Sequence, residues 1–144
     1  MVITTSDVVS ALTAAGVAVA AWQLWLAHRQ ATTTFEDSLA SRYRDLMQEL
    51  PVEALLGGVL SAGEHTKALP VFYNYFDFCN EQAFLREKRR VRASTWDEWR
   101  EGIEENLRRP AFARAWSEIA ARVPESFDKL RELVRPQPVH AAIP

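Results

Sequence analysis

The chain has 144 residues, with 17 basic and 19 acidic side chains that leave a net charge of −2. A balance so close to neutral gives no electrostatic reason to expect nucleic acid as a partner. The single cysteine, Cys79, excludes an internal disulfide, and the length leaves room for one compact domain of roughly 100 residues beside a short additional segment.

That additional segment is Val8 to Ala27, a run without one charged side chain, bounded by Asp7 before it and by His28 and Arg29 after it. About 20 helical residues at 1.5 Å each span roughly 30 Å, the hydrocarbon thickness of a bilayer, so the run predicts a transmembrane helix. Val9, Leu12, Val17, Val19, Leu24 and Leu26 supply its hydrophobicity. Ser10 and Thr13 are tolerable there, because their hydroxyls can return to a carbonyl one turn back. Trp22 and Trp25 mark the second boundary, where amphipathic rings favour the headgroup level. No Lys or Arg precedes the run, whereas Arg29, Arg42 and Arg44 follow, which predicts an N-terminus outside and a cytoplasmic C-terminal domain. A cleaved signal peptide lacks its basic leading region here. A helix buried in a soluble bundle or dimer is the other alternative. Ala11 with Ala15, and Gly16 with Ala20, have the four-residue spacing that lets two membrane helices approach closely, so a homodimer is one expected assembly.

The anchor is accordingly expected over residues 1–30, a cytoplasmic helical domain over 31–134 and a disordered tail over 135–144. Ala31 to Thr34 is a candidate break, since Thr33 and Glu36 have capping-box spacing. The alternative is that the membrane helix runs straight through. Phe35, Leu39, Tyr43, Leu46, Met47 and Leu50 recur at helical spacing and end at Pro51. That stripe is the first candidate for self-association, as a coiled continuation of a membrane helix. Val52 to Leu56 adds a short turn closed by Gly57 and Gly58. Ser61 to Leu69 shows no periodicity and reads as an exposed loop.

Pro70 suits a first helical turn, and Phe72, Tyr75, Phe76, Cys79, Ala83 and Phe84 give the next helix a broad apolar face. Ser94 or Thr95 then caps a helix bearing Trp96, Trp99, Ile103 and Leu107. Pro110 restarts the chain, with Phe112, Ala115, Trp116, Ile119 and Val123 inward as far as Pro124. A last short helix groups Phe127, Leu130, Leu133 and Val134. No segment alternates with period two, so the expected fold is all-α: an N-terminal transmembrane helix followed by a small antiparallel helical bundle, its core filled partly by tryptophans.

The stretch from Phe72 to Ile119 carries Tyr75-Phe76 through Cys79-Asn80-Glu81, Trp96 and Trp99 with Gly102-Ile103, Asn106-Leu107, and Arg109-Pro110-Ala111-Phe112 leading to Trp116. In these residues, about a third of the chain, it resembles an uncharacterised group of short bacterial proteins with one membrane helix and a cytoplasmic helical domain. The resemblance implies the same architecture and a bacterial inner membrane. It implies no activity.

Two constellations invite a chemical reading. Asp77 and Glu81, four residues apart on one helix and near Asn74 and Asn80, are expected to form a buried polar cluster. Carboxylates at that spacing can share a proton or a divalent cation, but the further ligands of a metal site are missing. Arg86, Lys88, Arg89, Arg90 and Arg92 form a basic run expected either to touch anionic headgroups or to be a solvated corner between helices. His28, His65 and His140 are isolated, and no serine or cysteine has a base nearby in sequence. Neither a catalytic site nor a cofactor or metal is expected, and the partners expected are the membrane and an unidentified protein.

Overall fold

The structure, a computed structural model, describes residues 5–135. Among the described residues there are six helices: α1 (Thr5–Glu49), α2 (Val52–Leu55), α3 (Ala62–Glu87), α4 (Ala93–Arg108), α5 (Pro110–Arg122) and α6 (Asp128–Val134). Among the described residues there is no strand, so the protein is all-α. The expected tail, apart from Arg135, lies outside the described residues.

Two units are distinguishable, Met1–Ser38 and Leu39–Pro144. The candidate break at Ala31 to Thr34 is absent, because α1 continues through it. Its threonines do not cap a new helix. Thr32 and Thr33 donate their hydroxyls to the carbonyls of His28 and Arg29, each at 3.1 Å, one turn back within the same helix.

In the second unit, the apolar stripe of Leu39, Tyr43, Met47 and Leu50 packs into the protein's own core. These contacts give the stripe from Leu39 onward a cover within the bundle itself, with Tyr43 and Met47 still partly exposed. Gly57, at φ +85°, ends the α2 turn in a left-handed conformation, and a side chain at Gly58 would collide with Glu53.

The segment expected to be a loop from Ser61 is the first turns of α3. Ser61 accepts from the Glu64 amide at 3.3 Å, while the Glu64 carboxylate accepts from the Ser61 amide at 3.0 Å, a complete capping box. Pro70 lies inside α3, not in its first turn. There it removes one helical hydrogen bond to Thr66. At the far end, Phe84 is exposed beneath Lys88 instead of joining the apolar face.

Tyr75 of α3 approaches Asn106 of α4, while Gln82 lines the same groove as Trp99, so α3 and α4 run antiparallel. α4 starts at Ala93 after Arg92, whose extended backbone supplies the cap position expected at Ser94 or Thr95. Pro110 opens α5 at its first position, as expected.

Phenylalanines, not tryptophans, fill the centre. Phe112 lies edge-on to Phe72 and Tyr75, with ring centroids 5.0 and 5.3 Å away. Trp96 and Trp116 stay partly exposed against the core. Fully buried aromatic side chains dominate such an interior, and truncating one costs about 3 to 5 kcal/mol.

Candidate functional site

The apolar segment of α1 has no cover within the protein. Val9, Leu12, Val17, Trp22 and Leu24 are each more than 60% exposed, and no part of the most apolar 18-residue window is buried. Thr13 donates to the Val9 carbonyl at 2.9 Å, which removes its hydroxyl from the demand for an outside partner. At the segment's end the Trp22 and Trp25 rings lie 5.2 Å apart, with the Arg29 guanidinium 4.8 Å above Trp25. One end is thus aromatic and cationic, the composition that a lipid headgroup layer favours. Length and composition make the helix a candidate span.

The expected buried polar cluster does not form. Asn74 and Asp77 are exposed and Asn80 and Glu81 half-buried, because the buried arc of α3 runs through Phe72, Tyr75, Phe76 and Cys79. Two of the four have separate tasks. Asn80 accepts from the amides of Lys129 and Leu130 at 2.9 and 3.1 Å. It thereby caps α6 from another helix, since the residue before α6, Phe127, offers no side-chain acceptor and sits at φ +62°. Glu81 pairs with Arg42 at 2.7 Å on the surface. Among the described residues, no three His, Cys, Asp or Glu side chains lie close enough together to hold a metal ion.

The basic run forms the corner between α3 and α4. Arg86 donates to the Val91 carbonyl at 3.1 Å and so ties the corner together. Arg89 takes a left-handed backbone at φ +56°, and Lys88 lies 3.4 Å from Glu87. Glu87 also holds Lys129 at 2.6 Å. Lys88 and Arg89 present their side chains to solvent.

Sequence reading missed His65. It is buried in the first turn of α3, with Nε2 2.9 Å from the Glu118 carboxylate and Nδ1 lacking a hydrogen-bond partner among the described residues. The His65 hydrogen bond, helped by the charges of His65, Arg122 and Arg114, holds the Glu118 carboxyl below its ordinary value. The signal was available: once Ser61 and Glu64 are read as a capping box, His65, Ala68, Phe72, Tyr75, Cys79 and Gln82 fall on one helical stripe. Cys79 is buried and its thiol is pushed up to about 12, chiefly by burial, so it is a poor nucleophile at neutral pH. Burial likewise raises the Tyr75 phenol, whose oxygen accepts from Asn106 at 2.9 Å.

A groove of about 340 Å³ opens beside this network, lined by side chains from α1, α3 and α4. Its members include Gln82, Trp99 and Gly102, which the sequence reading had given no site role. Comparison with known protein families, with curated proteins and with solved structures finds no match to the chain.

Proposed function

We propose that the protein is a non-enzymatic, single-pass protein of a bacterial inner membrane, in which residues 8–27 cross the bilayer and the helical bundle is a cytoplasmic protein-interaction or regulatory module. The observation that carries this reading is the uncharged, predominantly apolar surface of α1 over residues 8–27, whose large apolar side chains the protein leaves exposed. Exposing so many large apolar side chains to water is unfavourable by about 25 cal/mol per Å², whereas lipid tails cover them without further partners. The flanking Arg29, and the absence of basic residues before the segment, favour the cytoplasmic placement of the bundle. A protein partner is assigned to the bundle's own exposed apolar side chains, Val52, Leu56 and Val59. The resemblance to short bacterial membrane proteins belongs to the same proposal and rests on aromatic spacing.

Substituting Val17→Arg tests it. A charge at the centre of a span costs about 2.5 to 3.5 kcal/mol of insertion. The expected result is that the wild-type chain sediments with membranes and V17R shifts substantially to the soluble fraction. A wild-type chain found soluble, as a dimer paired through residues 8–27, would instead make the protein a soluble helical adaptor.

A further inference from the structure

Three polar side chains in the groove between α1, α3 and α4 make no hydrogen bond or ion pair among the described residues. Gln82 is only 3% exposed as a whole, but its carboxamide, which makes no hydrogen bond to the described residues, is not among the buried polar atoms and lines the groove. An amide at the wall of a groove with no protein partner is available to bond water or a ligand. Arg44 and Glu98 line the same groove, and neither has an ion pair among the described residues. Two opposite charges that share a cavity and do not pair with each other suit a ligand that carries both. Around them Tyr43, Trp99, Ile103 and Ala40 provide aromatic and aliphatic walls.

Gly102 adds an independent observation. It stands in the interior of α4, where glycine is less favourable than alanine. Packing does not demand it, because a Cβ built there meets nothing within 4 Å. Its effect is to leave the groove open. The volume, about 340 Å³, lies within the roughly 300 to 1,000 Å³ of small-molecule sites.

We propose that this groove is a binding site for a small zwitterion with an apolar body, of the size of an aromatic amino acid. Arg44 receives its carboxylate, Glu98 its ammonium group, the Gln82 carboxamide hydrogen-bonds the polar head, and the apolar body rests against Trp99 and Tyr43. An ammonium beside aromatic faces gains a further attraction, and a guanidinium matches a carboxylate with paired donors. The argument uses the bundle's own residues and does not depend on the membrane reading.

The test uses the full chain in detergent micelles, titrated calorimetrically with L-phenylalanine and with two truncated probes, 3-phenylpropionate and phenethylamine. The expected result is saturable binding of phenylalanine at one site, with each truncated probe at least tenfold weaker. Gly102→Leu, which fills the groove from a position where a Cβ has room, is expected to abolish binding while keeping or raising Tm. Gln82→Leu, of similar size, is expected to weaken it tenfold or more and serves if G102L fails to fold. Arg44→Gln is expected to penalise phenylalanine and 3-phenylpropionate but not phenethylamine, and Glu98→Gln the reverse pair. No saturable binding of phenylalanine up to about 10 mM would overturn the proposal. So would binding that a folded G102L or Q82L leaves unchanged, or equal binding of phenylalanine and 3-phenylpropionate.

Discussion

Replacing Asn80 with alanine removes the acceptor that seals the N-terminus of α6. The amides of Lys129 and Leu130 both donate to its Oδ1, at 2.9 and 3.1 Å, and the residue before the helix contributes no side-chain cap of its own. Losing a capping side chain costs about 0.5 to 2 kcal/mol. Here two donors lose their acceptor together in a partly buried setting, so the expected cost is about 1.5 to 2 kcal/mol, softened by water reaching the exposed side. For a domain of this size that corresponds to a drop in Tm of several degrees, at roughly 4 to 8 °C per kcal/mol. Asn80→Asp keeps the acceptor and places a negative charge at a helix N-terminus, so its expected change is within about 0.5 kcal/mol. Urea unfolding of the full chain in detergent gives the stabilities, and amide hydrogen exchange at Lys129 and Leu130 reports the local opening. N80A with wild-type stability and unaltered protection at those two amides would refute the assignment of Asn80 as the cap.

Arg131 closes the turn before α6, donating to the carbonyls of Ser126, Ala120 and Val123 at 2.7, 2.8 and 3.0 Å. Arg131→Lys, which lacks the planar fork, is expected to lose about 1.5 to 3 kcal/mol by urea unfolding; an unchanged midpoint would contradict the geometry. Acid should destabilise the bundle through Glu118, Glu64 and Glu87, all held below their ordinary value of 4.5 by hydrogen bonds to His65, Ser61 and Lys129 respectively. Depressed carboxyls stabilise above the unfolded value and lose that contribution as pH falls through the folded one, so the urea midpoint should decline below about pH 4.5. On the alkaline side the Cys79 thiol, raised from 9.0 to about 12, contributes stability that fades across that interval. A midpoint flat from pH 5 to 3 would contradict the acid account. Anionic headgroups against the α3–α4 corner predict that a water-soluble acylating reagent labels Lys88 more slowly in phosphatidylserine than in phosphatidylcholine proteoliposomes. Equal rates would leave it a solvated corner.

The helices from Phe72 onward were legible because phenylalanine and tyrosine recur there at helical spacing and prolines punctuate them. Ser61 to Leu69 was not. Gly63, Lys67 and the absence of large apolar residues before Leu69 hid a helical stretch whose buried residues are His65 and Ala68, and whose start depends on the Ser61–Glu64 exchange of hydrogen bonds. The threonines at 32 and 33 misled in the opposite sense, since a hydroxyl that can cap a helix can equally bond backwards inside one. Spacing placed Asp77 and Glu81 on one side of α3, but which arc of a helix faces the core depends on every element packed against it. The stripe Phe35 to Leu50 was legible as apolar, but periodicity identifies an apolar face without naming what covers it, and from Leu39 onward it packs against the bundle's own core. The groove was invisible for the same reason: Arg44, Gln82 and Glu98 lie on three different helices.

The most direct test of the central claim is alkaline carbonate extraction of the C-terminally tagged chain from bacterial membranes, paired with protease access to the tag in intact spheroplasts. The account predicts that the chain resists extraction and that the tag stays protected until the membrane is opened. Release of a folded chain by carbonate, or cleavage of the tag from outside, would contradict a span at residues 8–27 with a cytoplasmic bundle.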